Sequence, residues 1–201
     1  MSFQRVLKRF LDIFFAVLLV VILSPLMIVI AILIKIEDRG PVFFKQERLG
    51  KDGKTFLLYK FRTMVENAEK QGAGIFIEEN DPRITRVGRW LRELSLDELP
   101  QLFNIIKGDM SFVGPRPPLP FFPKRYEEYE EWVKKRFTVR PGITGWAQIN
   151  GRNLIDWYDR FKLDVWYVEH WSLRLDARIV FLTILKVLKR EGIYGKNVMR
   201  R

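Results

Sequence analysis

Two adjacent carboxylates, Asp97 and Glu98, stand in the stretch Ser95-Leu96-Asp97-Glu98-Leu99-Pro100-Gln101-Leu102-Phe103-Asn104-Ile105-Ile106-Lys107-Gly108. Arg83, Arg86, Arg89 and Arg92 lie just upstream, and Gly114-Pro115-Arg116-Pro117 lies just downstream. A guanidinium presents paired N–H donors that match phosphate geometry. A carboxylate pair can share a divalent cation with a phosphate ester. The combination points to phosphoryl chemistry. Taken alone, the two acids would only complement a helix dipole, and each arginine would only be a solvated surface charge. The clustering of both types is what favours a phosphate site. Competing chemistries are scarce: there is no cysteine and a single histidine, His170. That excludes thiolate metal sites, a cysteine nucleophile and a multi-histidine centre, and it disfavours a Ser-His relay.

The elements that must hold these groups can be read from spacing. Ser95 and Glu98, three residues apart, match a capping box. Leu99, Leu102, Phe103 and Ile106 follow the i, i+3, i+4, i+7 pattern of a helix face. Lys107-Gly108 supplies a helix end. The spacing therefore predicts a helix with Asp97 and Glu98 in its first turn, where backbone N–H groups favour anions. Pro41-Val42-Phe43-Phe44 and Thr55 to Phe61 read as strands, and Gly50-Lys51-Asp52-Gly53 between them is turn chemistry, so a β-hairpin is predicted. Val65 to Gln71 reads as a short helix, and Arg83 to Arg92 as another segment opened by Asp81-Pro82. Residues 114–123 hold five prolines and must form an extended loop. Lys124 to Phe137 reads as a charge-rich helix.

The chain's 201 residues, 48% of them hydrophobic, can fill a core and suit one domain with an appendage. The formal charge of +11 suits nucleic acid, an anionic membrane or a phosphorylated substrate. No RRM, KH or zinc-finger signature is present and the basic residues form no single stripe, so no nucleic-acid partner is expected. Ile13 to Ile34 is a run of 22 uncharged residues. At about 1.5 Å per residue it is long enough for a hydrocarbon layer of ~30 Å. Ser24-Pro25 falls near its middle, and both flanks are basic: Arg5, Lys8 and Arg9 before it, Lys35, Arg39, Lys45 and Arg48 after it. Hydropathy favours a kinked spanning helix. Basic residues prefer the cytoplasmic side, so two basic flanks favour a re-entrant hairpin broken at Ser24-Pro25, each half about 16 Å long. The two readings stand level. From Leu175, the residues Ile179, Leu182, Leu185 and Leu188 recur at helical spacing beside Arg174, Arg178, Lys186, Lys189 and Arg190. That pattern fits a helix in the membrane interface or a surface helix packed on a core. Tryptophans 157, 166 and 171 just upstream favour the interface.

With these segments in view, the chain resembles the small, single-domain form of the monotopic phosphoglycosyl transferases, a family of bacterial sugar transferases. The resemblance rests on Ser24-Pro25, Lys60-Phe61-Arg62-Thr63-Met64 and Asp81 to Gly88. It continues through Ser95 to Gln101, Lys107 to Ser111, Gly114 to Pro117, Arg140 to Gln148 and Asn150-Gly151-Arg152. These segments cover nearly the whole chain in order. The additional N-terminal transmembrane bundle of larger relatives has no counterpart in this sequence.

The resemblance implies a fold that is α/β in a loose sense and mostly helical. Residues 1–36 would form a re-entrant membrane hairpin. Residues 37–201 would form a cytosol-facing catalytic domain with a short β-hairpin and interfacial amphipathic helices. It implies transfer of a sugar-1-phosphate from a UDP-sugar to polyprenyl (undecaprenyl) phosphate, with loss of UMP, at the cytoplasmic face of the bacterial inner membrane. Asp97 would be the nucleophile and form a phosphosugar-aspartyl intermediate. Glu98 would be its partner, and both acids are candidate ligands for a required Mg²⁺. Arg92 and Arg116, with Arg140 and Lys60, are candidates for binding phosphate. Two other readings remain: a polyprenyl-phosphate glycosyltransferase that releases UDP, and a non-catalytic, membrane-anchored basic binding protein. The pattern sets neither the sugar nor an oligomeric state.

Overall fold

A computed structural model describes residues 3–72, 74, 81–151 and 155–189. Arg152 and Arg190, singled out in the sequence, lie outside them. The chain opens with one long helix, α1 (Phe3–Asp38). A hairpin of β1 (Phe43–Leu49) and β2 (Thr55–Phe61) follows, then α2 (Arg86–Glu93) and α3 (Gln101–Lys107). Next come β3 (Ser111–Val113), α4 (Glu131–Lys134), β4 (Gly142–Thr144), α5 (Trp146–Asn150), α6 (Trp157–Glu169) and α7 (Leu173–Leu188). The result is a mixed α/β domain with two small sheets and one apolar N-terminal helix.

Ser24-Pro25 does not divide α1, and helical structure runs through both residues. Pro25 has no N–H, which leaves the Val21 carbonyl without its usual donor. Ser24 Oγ donates to that carbonyl at 2.8 Å, so the interruption is satisfied locally. Only 17% of the most apolar stretch of α1 is buried, and it is the single helix among the described residues long and apolar enough to cross a membrane. Its inner face is narrow. Ala16 packs with Leu58, Leu102, Ile105 and Met110, while Met27, Ile30 and Ile34 pack with Phe61 and Leu91. Phe14, Val21, Ile22, Ile28 and Ile32 point outward.

Both ends of α1 are tied to the same domain. Lys8 Nζ donates to Asp176 of α7 at 2.7 Å, and Arg9 Nη1 to the Ile105 carbonyl of α3 at 2.8 Å. At the other end, Glu37 accepts from the Arg86 N–H at 2.7 Å and thus caps α2, and Asp38 pairs with Arg62.

The β-hairpin forms as predicted, with Phe43 opposite Phe61 and Leu49 opposite Thr55. Its first strand begins at Phe43 rather than Pro41, since proline lacks the N–H a ladder needs. The parallel pairing of β3 with β4 was not legible, because each strand is only three residues long. Three predicted helices are shorter or displaced. Val65 to Gln71 yields only a 3₁₀ turn at Ala68–Lys70, with Asn67 left-handed before it. Lys124 to Phe137 is broken into 3₁₀ turns at Tyr126–Glu128 and Lys135–Phe137 around the short α4. Extended backbone at Tyr129 and Glu130 causes the break, and it lets Tyr129 bury against Phe137 and Phe161.

The third displacement concerns the site. Ser95 is left-handed (φ 56°) and caps nothing with its side chain; Leu96–Glu98 is a 3₁₀ turn, and α3 starts only at Gln101, after Pro100. The predicted capping box is therefore absent, and the acids precede α3 instead of forming its first turn. The buried side of α3 is Gln101, Leu102, Asn104 and Ile105, with Phe103 turned outward.

Helix α7 presents Ile179 to the core and leaves Val180, Phe181, Ile184, Leu185 and Leu188 exposed. Of the three tryptophans upstream, Trp166 is exposed. Trp157 packs beside the buried cluster around Tyr129, and Trp171 Nε1 donates to Asp176 at 3.1 Å.

Candidate active site

Asp97 and Glu98 face the end of β2 and the proline-rich loop after β3. Lys60, near the end of β2, donates to Glu98 Oε1 at 2.7 Å and lies 3.5 Å from Asp97 Oδ2. Arg116 reaches Glu98 Oε1 from the loop at 3.4 Å through both terminal nitrogens. The side chains of Lys60, Asp97 and Glu98 are 19%, 13% and 20% exposed, so the charges meet largely out of water.

Each cation has a local reason for its place. The Asn104 side chain accepts from the Tyr59 N–H at 3.0 Å and donates to the Leu57 carbonyl at 2.7 Å. This occupies the free edge of β2 and fixes the strand carrying Lys60 against α3. Helix α2 is capped by Thr85, whose side chain accepts from the Gly88 N–H at 2.9 Å. At its far end Arg92 Nε donates to Thr63 Oγ1 at 2.8 Å. Gly88 lets α2 approach that closely, because a Cβ there would collide with the Thr63 backbone. Arg92 stands on the Asp97 side, where its charge lowers the acid's pKa.

The two acids are not equivalent. Burial pushes Asp97 above its ordinary pKa; Lys60 offsets part of that, and the Glu98 charge adds to it. Burial also acts on Glu98, but Lys60 and Arg116, through charge and hydrogen bonds, hold it well below the usual carboxylate range. Glu98 is thus the tightly paired anion. Asp97 is the more basic and less tightly held carboxylate.

Of the sequence candidates, Lys60, Asp97, Glu98 and Arg116 come together, with Arg92 flanking. Arg140 does not join them: its Nε donates to the Gly108 carbonyl at 2.7 Å, at the opposite end of α3. Among the upstream arginines, Arg86 and Arg89 are exposed. Arg83 is buried and holds Asp81 and the carbonyls of Ala68, Gln71 and Gly74. Ser24 and Pro25 lie within α1, whose inner face packs beside the site, against Phe61, Leu91, Leu96 and Leu99. Sequence reasoning missed Thr63 and Asn104 as supports. Thr63 falls inside the Lys60–Met64 segment, which was its available signal.

Residues 3–190 match the model of a family described as bacterial sugar transferase. The chain is 47% identical over 192 residues to the uncharacterized sugar transferase EpsL of Bacillus subtilis, covering 96% of this chain and 92% of that protein. It is 46% identical over 189 residues to a UDP-N-acetylgalactosamine-undecaprenyl-phosphate N-acetylgalactosaminephosphotransferase of Aeromonas hydrophila, covering 92% of this chain and 44% of that one. It is 43% identical over 196 residues to a UDP-glucose:undecaprenyl-phosphate glucose-1-phosphate transferase of Escherichia coli, covering 95% and 42%. The chain thus spans nearly all of the first relative and under half of the other two. It belongs to the bacterial sugar transferase family, as an enzyme that its exposed apolar helix seats at the cytoplasmic face of the inner membrane.

Proposed function

We propose that this enzyme transfers a sugar-1-phosphate from a UDP-sugar to polyprenyl phosphate (undecaprenyl phosphate in the named relatives) and releases UMP. The observation that carries the reading is the pair Asp97–Glu98 ringed by Lys60, Arg92 and Arg116. Three cations against two carboxylates leave a net positive site suited to a diphosphate ester. The activities for which the Aeromonas and Escherichia relatives are named agree with it.

Asp97 is the proposed nucleophile. Its carboxylate oxygen attacks the phosphorus that bears the sugar. The bond from that phosphorus to the bridging oxygen breaks, and UMP leaves with the electron pair. The product is a phosphosugar-aspartyl intermediate, an acyl phosphate on Asp97. A phosphate oxygen of the lipid acceptor then attacks the same phosphorus, and the Asp97 carboxylate is released unchanged. Two displacements replace one difficult transfer, as in other covalent carboxylate mechanisms. The rest of the work is positioning and charge neutralisation. Lys60 and Arg116 keep Glu98 ionised and immobile, while Arg92 and Arg116 offset charge on the phosphates.

Asp97 and Glu98 would hold Mg²⁺. The donor set fits: both ligands are hard carboxylate oxygens, and Mg²⁺ commonly takes one or two carboxylates and completes its shell with water and phosphate. Among the described residues no group of three or more His, Cys, Asp or Glu side chains is placed to hold a metal ion, so these two acids would need water and substrate phosphate to complete the shell. When bound, the ion supplies Lewis-acid stabilisation of phosphoryl charge.

For topology, we propose that residues 1–36 enter the bilayer and return to its cytoplasmic face, with residues 37–201 as the cytosol-facing catalytic part. The basic flanks support this. So does the attachment of both ends of α1 to one domain, since a spanning helix would carry its ends to opposite sides. The outward apolar residues of α7 would rest in the same interface. Intact-mass spectrometry tests the chemistry: with a UDP-sugar and no acceptor, the protein should gain one sugar-phosphate mass, mapped to Asp97. No adduct with a donor that turns over in the full reaction would overturn the covalent mechanism.

A further inference from the structure

The loop Gly114–Pro118 presents Arg116 to the site, yet Pro115, Pro117 and Pro118 have no backbone N–H to give a ladder. Its carbonyls do the holding instead. The Pro115 carbonyl accepts from Gly142 N at 3.0 Å, and the Pro118 carbonyl from Leu49 N at 2.9 Å. The two between them are taken by arginine side chains. Arg136 Nη2 donates to the Arg116 carbonyl at 2.8 Å, and Arg48 Nη1 to the Pro117 carbonyl at 3.2 Å. Four consecutive carbonyls are thus clamped from three separate elements.

Both arginines sit in costly surroundings. Arg136 and Asp164 of α6 are each 1% exposed, paired at 2.8 Å, and the guanidinium lies over the rings of Phe137 and Phe161. A buried ion pair seldom improves on well-packed apolar residues. Arg48 Nε and Arg136 Nη1 are buried without a hydrogen-bond partner among the described residues. Burial, and then the Arg116 charge, pull the Arg48 guanidinium down to about 10. Charged groups held in this way need a reason beyond stability, and the carbonyls they grip belong to the two successive peptide bonds that follow Arg116.

We infer that Arg48 and Arg136 are positioning residues that fix the backbone on the C-terminal side of Arg116 and thereby hold its guanidinium toward Glu98. The inference rests on the proposed role of Arg116 at the site. Arg48 and Arg136 need not touch substrate; they act through one neighbour.

The test is a double-mutant cycle on acceptor-dependent UMP release by the full-length protein in detergent or nanodiscs, with kcat and KM resolved. Arg48→Met and Arg116→Ala are made singly and together. Asp164→Asn, alone and with Arg116→Ala, loosens Arg136 and provides a second cycle if either variant folds poorly. Arg48→Met should lower kcat/KM by roughly tenfold, the scale of one lost charge-assisted hydrogen bond. It should act through the same parameter, kcat or KM, that Arg116→Ala moves. In the Arg116→Ala background its effect should shrink to under about twofold, because coupled residues are not additive. Full additivity in both cycles would overturn the inference while leaving the role of Arg116 intact. An Arg116→Ala enzyme with unchanged kinetics would overturn both.

Discussion

Removing Lys60 tests the charge balance of the site directly. In Lys60→Met the chain keeps similar length, but Asp97 and Glu98 lose a cation 3.5 and 2.7 Å away. At an effective dielectric near 20, unit charges about 4 Å apart attract by about 4 kcal/mol. Breaking a buried pair by removing one partner typically costs about 3–5 kcal/mol. Arg92 and Arg116 still face the acids, so the lower end applies, about 3 kcal/mol. In a domain of this size that is a fall in Tm of about 6–12 °C. The deficit should appear in EDTA and shrink by at least half in excess Mg²⁺, because acids freed of Lys60 bind the cation more tightly than in the wild type, and mass action then stabilises the variant more. The assay is thermal unfolding of wild type and Lys60→Met in one detergent at pH 7.5, in EDTA and in Mg²⁺. An equal deficit under both conditions would refute the assignment of the acids as Mg²⁺ ligands. No deficit in EDTA would refute the claim that Lys60 neutralises them.

Other outcomes follow from the supports around the site. Thr63→Val removes the acceptor for Arg92 Nε, and kcat/KM should fall by roughly tenfold with Tm within a few degrees of wild type, measured by steady-state kinetics and thermal unfolding. Gly88→Ala drives a methyl group into the Thr63 backbone; thermal unfolding should show a Tm lowered by roughly 5 °C or more, as for other overpacked sites. Arg140→Ala leaves the site cations in place and removes a tie to the Gly108 carbonyl, so donor KM should stay within about twofold while Tm drops by a few degrees.

What could be read in advance depended on the range of the forces involved. The β-hairpin was legible because Gly50 to Gly53 is local turn chemistry and Thr55 to Phe61 is a local apolar pattern. The site cluster was legible in part because Asp97, Glu98, Arg92 and Arg116 lie within one short span of sequence. Lys60 came only through the resemblance, since its approach to Glu98 is a tertiary event. The capping box failed although Ser95 and Glu98 have the right spacing: Ser95 turns left-handed, and Pro100 sets the helix start later. The resemblance sets Arg140 beside Lys60 among the phosphate-binding candidates, yet the chain leading into β4 carries it to the far end of α3. The Arg136–Asp164 pair joins residues 28 apart in sequence, and no local pattern announces it. On α1, the hydrophobic run was plain, but its attachment at both ends depends on Lys8, Arg9, Glu37 and Asp38 finding distant partners.

The central claim is that the sugar's phosphate travels with the sugar, by way of Asp97. The most direct measurement identifies the nucleotide released from a panel of UDP-sugars with Mg²⁺, with and without undecaprenyl phosphate, by wild type and Asp97→Asn. The account predicts acceptor-dependent UMP from the wild type with at least one donor and none from Asp97→Asn. UDP as the product, or undiminished UMP from Asp97→Asn, would contradict it.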